Sequence, residues 1–360
     1  DYPLWGKVYF KWWLQKRLYS LIPKEVLGNT PLYADLIRAF GVKIKTKNQL
    51  SNFEMGVEEL IEIGENVTIS SKSVLQNAWV EQGKLKLRKI YIDDDAYVGT
   101  SSIVSGDCHL EKGCELKDLS HLEAGKRMGH HEIFEGSPAA YTGKKEDYLY
   151  PKEPAQRTRL SYYLSYLVLV FLFPMLVLIP LVPSIMSLYY LDEQADWYSF
   201  YYLFKTPIFA LMYIVLFLGE VILLTRIFQK DLTPGQYSIY NPVYVKKWFT
   251  DQLFSLSLLV IKPIFATVYI SWVYRALGAK VGDNTEISTA TNVSHSLLEI
   301  GQESFIADDV SIGETEIRNQ ELSIATTRIG NRSFVGNSAL IPQGYQLGDG
   351  MLIGVVSVPP

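Results

Sequence analysis

Aliphatic residues recur at every sixth position in two stretches of the chain. The first series is Ile92, Val98, Val104, Leu110 and Leu116, and the second is Ile329, Val335, Ile341, Leu347 and Ile353. Amphipathic helices show spacings of three and four, and half-buried strands alternate by two, so a step of six fits neither. It is typical of a parallel β-helix, in which each short strand turns one aliphatic side chain inward. Because three such strands make one triangular coil, we expect residues eighteen apart, such as Val98 and Leu116, to stack directly.

The two series belong to an internal duplication, whose constant shift along the chain carries Ile63 onto Ile300. The same shift superimposes the motifs Tyr-Val-Gly at 97–99 and Phe-Val-Gly at 334–336, and the motifs RAFG at 38–41 and RALG at 275–278. Gly99, Gly330 and Gly336 follow inward positions, where we expect corners of the coil. The duplication predicts two modules of one design.

Each repeat is interrupted once, at the same place in both copies. The segment QNAWVEQGKLKLRK separates Leu75 from Ile92, and ETEIRNQELSIATT separates Ile312 from Ile329. An insertion at a fixed position predicts a loop or hairpin that projects from one coil. Such loops on rigid scaffolds often carry function.

Apolar segments between the two repeats predict membrane helices. Residues 162–182 contain no charge, and residues 207–228 form a second apolar stretch of sufficient length. Kinks are expected in the first at Pro174, Pro180 and Pro183. The acidic, aromatic connector at 191–205 resembles an interfacial belt. Each repeat also follows an aromatic lead-in, KWWLQKRLYSL or KKWFTDQLFSL, which we expect to form helices against or dipping into the bilayer. For the first lead-in, packing in a soluble core is the alternative.

Basic residues flank the apolar segments on one side and predict their orientation. They are Lys144, Lys145, Lys152, Arg157, Arg159, Arg226, Lys230, Lys246 and Lys247, whereas the connector offers only Lys205. The positive-inside tendency places both modules in the cytoplasm, in a multi-pass protein of the cell inner (plasma) membrane. Glu220 is an acid within a spanning segment, where it either has a function or is protonated or facing Arg226.

Composition excludes several classes of function. The net charge of the 360 residues is −4 and is spread along the chain, which argues against nucleic acid as a partner. The chain has no P-loop, GxSxG or HExxH motif. Cys108 and Cys114 fit no CxxC pattern, and we expect both to be small buried side chains.

Together these patterns predict a mixed α and β membrane protein, in which a transmembrane helical hairpin joins two left-handed parallel β-helix modules. The expected parts are amphipathic helices at 1–50, the first module at 51–142, the transmembrane hairpin at 158–231, membrane-dipping or interfacial helices at 240–282, and a truncated second module at 283–360. Because the chain starts at Asp1 and stops within the repeat, we interpret it as a fragment of a longer polypeptide.

Several motifs resemble one family. The stretches IGNRSFVGNSALIPQGYQLGDGMLIGVVSVPP, GCELKDLSHLEAG and FEGSPA are similar to the C-terminal membrane region of poly-ε-lysine-synthetase-type nonribosomal peptide synthetases. The resemblance covers essentially the whole chain, including its alternation of hexapeptide modules with membrane helices. It implies an amino-acid adenylation domain and a carrier domain upstream, with phosphopantetheine on the carrier and no cofactor in this chain. It also implies tandem acetyltransferase-like modules that join amino acids through amide bonds.

The resemblance therefore implies amide-bond formation from carrier-bound aminoacyl thioesters. The expected partners are the lipid bilayer, the carrier (thiolation) domain and an amino acid or peptide substrate, and homo-oligomerisation stays open. Two alternatives remain: a free-standing coenzyme A-dependent hexapeptide acyltransferase, and a membrane scaffold that does not catalyse.

Aminoacyl transfer needs a base for the incoming amine and donors for the developing oxyanion. In many hexapeptide acyltransferases the catalytic histidine lies where the coil is interrupted, but neither interrupting segment here contains one. The candidate catalytic residues are His295, His130, His131, Glu81 and Glu314. His295 precedes the second module, and Glu58 occupies its position in the first. A metal site is not expected, because the paired histidines have no Cys, Asp or His at ligand spacing.

Overall fold

The computed structural model describes residues 1–145, 156–190, 201–261, 264–267 and 269–359. These residues form two compact units. The first unit comprises Asp1–Tyr163 and Ile317–Leu322, and the second comprises Leu164–Glu316 and Ser323–Pro360. Each unit contains one β-helix and the helices that precede it.

Helices precede both β-helices, and the longest lie between them in sequence. They are α1 (Lys7–Tyr19), α2 (Lys24–Leu27), α3 (Pro31–Ala39), α4 (Gln156–Leu178), α5 (Leu181–Tyr190), α6 (Tyr201–Gln229), α7 (Pro242–Ile261) and α8 (Ile270–Leu277). One 3-10 turn precedes a strand in each unit, at Glu58–Leu60 and His295–Leu297.

The β-helix of the first unit consists of three parallel ladders. One ladder contains Lys43–Ile44, Ile61–Ile63, Ile90–Ile92, His109–Leu110 and Arg127–Met128. The next contains Gln49–Leu50, Thr68–Ile69, Tyr97–Val98, Glu115–Leu116 and Glu132–Glu135, closed by the antiparallel strand Ala140–Lys144. The third contains Glu54–Met55, Val74–Gln76, Ile103–Ser105 and His121–Leu122.

The second unit repeats this design. Its first ladder contains Lys280–Val281, Leu298–Ile300, Thr327–Ile329 and Gln346–Leu347. The second contains Glu286–Ile287, Phe305–Ile306, Phe334–Val335 and Leu352–Ile353. The third contains Ala290–Thr291, Val310–Glu314 and Leu340–Pro342. The parallel β-helix predicted from the six-residue step is therefore present in both copies.

Inward packing follows the predicted positions. All ten aliphatic residues of the two six-residue series are buried. Val98 pairs in register with Leu116, so residues eighteen apart do stack. Because each coil buries its apolar side chains only against the neighbouring coils, the stability of a module is shared along the stack.

Both interrupting segments form antiparallel hairpins, as predicted. In the first copy Ala78–Glu81 pairs with Lys84–Leu87, and Tyr2–Pro3 adds a third strand beside Lys84 and Leu85. In the second copy Ile317–Arg318 pairs with Glu321–Ile324.

Glycines at the coil edges are needed for close approach between coils. A Cβ atom on Gly99 would lie 2.5 Å from the backbone nitrogen of Asp118, and one on Gly330 would lie 2.4 Å from backbone atoms of Gly348. Neither glycine has a positive φ. The expected corner position is therefore correct, but its reason is the space between coils and not a left-handed backbone.

Two apolar helical segments are long enough to cross a bilayer, Leu160–Tyr190 and Phe204–Gln229. The first is interrupted between α4 and α5, beside Pro180, whereas Pro174 lies inside α4. The predicted belt at 191–205 falls mainly on residues 191–200, which lie outside the described residues, as does Lys152.

Arg226, near the end of α6, forms hydrogen bonds with helix α8. Its Nε donates to the Ala276 carbonyl at 2.7 Å, and its Nη2 donates to the Arg275 carbonyl at 3.0 Å. The expectation that Glu220 faces Arg226 is therefore wrong. Among the described residues, Glu220 Oε2 has no hydrogen-bond partner.

Both cysteines are buried and unpaired, as expected. Burial raises the pKa of each thiol, so both stay protonated at neutral pH.

Candidate functional site

The second unit contains a buried polar cluster where its lead-in helices meet the first coil. Helix α7 contributes Lys247, Asp251 and Phe254, whose spacings of four and three place them on one helix face. Helix α8 contributes Tyr274, and the 3-10 turn before strand Leu298–Ile300 contributes His295.

His295 lies at the centre of this cluster and is 1% exposed. Neither ring nitrogen has a hydrogen-bond partner among the described residues. The Phe254 and Tyr274 rings pack edge-on against the imidazole, with centroids 4.5 and 5.2 Å away. Burial, aided by the charge of Lys247, lowers the pKa of His295 to about 3, so the imidazole is neutral.

Lys247 and Asp251 form an ion pair one helical turn apart. Lys247 Nζ donates to Asp251 Oδ2 at 2.7 Å, and the lysine side chain is almost fully buried. Burial raises the pKa of Asp251, while the charge of Lys247 opposes this rise. Burying a charge costs free energy, and each partner of a buried ion pair offsets this cost for the other. Both charges therefore depend on this contact.

Gln229, the last residue of α6, joins the cluster to the apolar helices. Its Nε2 donates to Thr250 Oγ1 at 3.1 Å, and its Oε1 accepts from the Ser296 backbone nitrogen at 3.3 Å. It therefore links α6, α7 and the turn that carries His295.

Unpartnered polar atoms are concentrated here. They are Asp251 Oδ1, Ser294 Oγ and both ring nitrogens of His295. Buried polar atoms in native proteins nearly always have partners, and each exception needs a cause such as water, a ligand group or a catalytic role. The cluster therefore holds a neutral imidazole, with one nitrogen lone pair unshared among the described residues, close enough to Lys247 for its charge to lower the imidazole pKa.

The other predicted residues lie elsewhere in their own units. His130 is exposed, and its Nε2 lies 3.2 Å from Glu111 Oε2. The backbone of His131 has a φ of 60°. Glu81 lies at the first hairpin and accepts from Trp79 and Lys86, and the Lys86 hydrogen bond lowers its pKa. Glu314 Oε2 accepts from Ser311 at 2.8 Å. Glu81, His130 and His131 belong to the first unit, and His295 and Glu314 belong to the second. The rings that pack against His295 are those of Phe254 and Tyr274.

Sequence reasoning named His295 but missed Lys247, Asp251 and Gln229. The signal for the first two was present, since an i,i+4 Lys–Asp pair lies in a mainly apolar helix. Nothing in the sequence brings Gln229 to His295, because the two lie far apart along the chain and meet only through tertiary packing.

The first unit has a matched position. Glu58 precedes the corresponding strand by the same distance, is buried, and accepts from Gln15 Nε2 of α1 at 2.6 Å. Burial raises the pKa of Glu58. The residue type differs between copies, as predicted, but a buried ionisable side chain is common to both.

The chain is similar in sequence to a region of a larger protein. No family model matches the chain. The delta-poly-L-ornithine synthetase of Acinetobacter baumannii (strain AB307-0294) is 36% identical over 373 residues, which cover 100% of this chain and 28% of that protein. The chain therefore spans little more than a quarter of its relative's length.

Three solved structures show weaker similarity. A hexapeptide-repeat acetyltransferase from Vibrio cholerae has a TM-score of 0.33 and 15% identity, over 40% of this chain and 96% of that one. A maltose O-acetyltransferase from Clostridium difficile 630 has a TM-score of 0.32 and 15% identity, over 41% and 92%. An N-acyltransferase from Bacillus cereus has a TM-score of 0.27 and 16% identity, over 29% and 63%.

Since the sequence relative matches along the whole chain, the resemblance inferred from the FVGNSALIP and EGSPA motifs is confirmed, and the chain is similar over its full length to one region of a poly-ornithine/lysine-type synthetase.

Proposed function

We propose that this chain is part of a membrane-bound synthetase that joins amino acids through amide bonds. In this proposal the activated aminoacyl group arrives as a thioester on a carrier domain. The observation that carries the proposal is the 36% identity, along the whole chain, to a delta-poly-L-ornithine synthetase. The β-helix modules then form the acyltransferase-like part of the enzyme.

The proposed reaction needs one proton acceptor. The amine nitrogen of one amino acid attacks the thioester carbon of another, the C–N bond forms and the C–S bond breaks. The carrier thiol leaves with one proton, and the proton of the attacking amine passes through a base.

His295 is the residue we propose for this role. Its ring nitrogens have no protein partner among the described residues, and its lone pair is free because the imidazole is neutral. Lys247 supplies a nearby positive charge that favours a developing oxyanion.

The test uses the full synthetase with a loaded carrier. His295→Asn keeps a polar side chain of similar size but removes the base, and we expect kcat to fall about 100-fold with KM nearly unchanged. His130→Asn is the matched control, because His130 is exposed, and it should keep the wild-type rate.

The outcomes separate the two levels of the proposal. A wild-type enzyme that forms amides, with the same kcat after His295→Asn, would refute the role of His295 alone. A wild-type enzyme that forms no amide from the loaded carrier would refute the proposed function.

We also propose that the two apolar segments cross the bilayer and that both β-helices, wound in the left-handed sense, lie in the cytoplasm. Large apolar side chains on these helices are exposed in the chain by itself, among them Val168 and Phe171 on α4 and Ile208 and Val215 on α6. Lipid would cover such side chains, whereas water would not.

A further inference from the structure

A serine and a histidine of the first unit form a hydrogen-bonded pair that the proposed function does not use. Ser105 ends the strand Ile103–Ser105, and His121 begins the neighbouring strand of the same ladder, His121–Leu122. Ser105 Oγ lies 3.0 Å from His121 Nε2. When Nδ1 carries the ring proton, the hydroxyl donates to Nε2, which is the geometry of a serine next to its general base.

The coil determines where the Ser105 hydroxyl lies. Val104 is an inward residue of the six-residue series and is fully buried, so the alternation of the strand turns Ser105 outward. Ser105 is nevertheless only 9% exposed, and His121 is half-buried. The pair therefore lies at the outer face of the coil but is partly shielded from water.

The closure of the module holds the main chain of His121 on both sides. The His121 backbone nitrogen donates to the Gly136 carbonyl at 2.9 Å, and the Ala139 backbone nitrogen donates to the His121 carbonyl at 2.8 Å. Gly136 and Ala139 are the first and last residues of the motif GSPA. The motif thus fixes the backbone that carries the imidazole, while Ser105 contacts one of its ring nitrogens.

The root of the first hairpin packs beside the pair. Ser105 pairs in register with Gln76, two residues before the hairpin strand begins. A Cβ atom on Gly106 would lie 2.6 Å from the Cβ of Arg88 and 3.0 Å from a ring atom of Trp79. These two hairpin side chains therefore form a wall next to Ser105, at the place where the coil is interrupted.

The pair belongs to the first copy alone. The shift of the duplication carries Ser105 onto Pro342 and His121 onto Val358. The second copy forms the corresponding strand, Leu340–Pro342, with proline at the position of Ser105. A β-helix of this design therefore does not need the pair in order to fold.

We propose that Ser105 is a nucleophile that takes up an acyl group from a thioester or another activated ester, with His121 as its base. Ser105 Oγ attacks the acyl carbon, a C–O bond forms, and the bond from that carbon to the leaving sulfur or oxygen breaks. His121 Nε2 takes the hydroxyl proton and passes it to the leaving group. An amine that attacks the serine ester breaks the C–O bond, and its proton returns to Ser105 Oγ through His121. Because both residues lie in the first unit, the proposal does not depend on the role of His295.

Acylation of the full chain in detergent tests the pair. With p-nitrophenyl acetate as the probe, peptide mass spectrometry should find an acetyl ester on Ser105 that hydroxylamine removes. Ser105→Ala should abolish this adduct, and His121→Asn should slow its formation about 100-fold. Ser105→Cys keeps a nucleophile at the same position and should be acylated at the new thiol.

Two matched controls lie on the same β-helix. Ser70→Ala removes a partly buried serine whose Oγ donates to the Tyr97 hydroxyl at 3.2 Å, and His109→Asn removes a histidine that pairs with Asp93. Both variants should acylate Ser105 at the wild-type rate.

Absence of an acetyl ester on Ser105 in the folded wild-type chain would overturn the proposal. An equal rate of acylation in His121→Asn and wild type would also overturn it. Amide formation by the full synthetase is measured separately, so the failure of this proposal is distinguishable from the failure of the proposed function.

Discussion

Two ionisable side chains at matched positions, Glu58 and His295, are buried where lead-in helices meet the first coils. Glu58 accepts a hydrogen bond from Gln15, whereas His295 packs between two aromatic rings without a described polar partner. The two copies thus share a buried ionisable position, but the side chain is a carboxylic acid in the first copy and an imidazole in the second. Only the second copy has a neutral imidazole at this position, and this difference is the reason why we propose the chemistry for that copy.

At the residue scale, Glu115→Gln should destabilise the first unit by about 3 kcal/mol, because Arg318 and Lys117 lose the carboxylate that compensates them. Chemical denaturation in detergent measures this change. Glu123→Gln, at an exposed position, is the control and should change stability by less than about 0.5 kcal/mol.

The pH dependence of the same variant has a defined sign. Burial raises the pKa of Glu115, but hydrogen bonds and charges from Arg318 and Lys117 outweigh it and bring the pKa to about 2. Because the pKa of Glu115 is lower in the folded chain than in the unfolded chain, the ionised carboxylate stabilises the fold. This stabilisation is complete above the unfolded pKa, near 4.5, and is lost as the pH falls towards 2. Glu115→Gln should lack that loss. An equal loss in variant and wild type would contradict the assignment.

At the element scale, the six-residue step predicted most of the fold because the coil demands one inward aliphatic residue per strand. Ile92, Val98 and Leu110 are buried for that reason. The hairpins were also predictable, since both insertions fall at one position of the repeat. The candidate site was less accessible to sequence reasoning, because Lys247, Asp251 and Gln229 meet His295 only after the helices pack on the coil.

Gly99→Ala tests the reason given for the coil glycines. The added Cβ would lie 2.5 Å from the Asp118 backbone, so neighbouring coils must separate. We expect a loss of about 1–3 kcal/mol, measured by denaturation of the full chain in detergent. Gly143→Ala is the control, since a Cβ there meets nothing within 4 Å and should cause no loss. Equal stability of the two variants would show that the coils tolerate the extra atom.

At the scale of the whole molecule, the proposed bilayer crossing can be tested at one side chain. Met175 is exposed near the middle of the segment Leu160–Tyr190. Met175→Arg should make insertion of this segment about 2.5–3.5 kcal/mol less favourable in a membrane-insertion assay. Tyr190→Arg, at the end of the segment, should have little effect because arginine reaches the interface there. Equal insertion of Met175→Arg and wild type would argue against a crossing.

Helix α6 is hydrogen-bonded to the rest of its unit through two side chains about one turn apart. Arg226 holds the carbonyls that end α8, and Gln229 holds α7 and the turn of His295. A rotation of α6 by one residue, about 100° about its axis, would detach both side chains. In the proposed bilayer crossing, any torque that lipid applies to α6 is therefore transmitted through these four hydrogen bonds to the two helices and the turn that surround the imidazole, which couples the candidate base to the membrane.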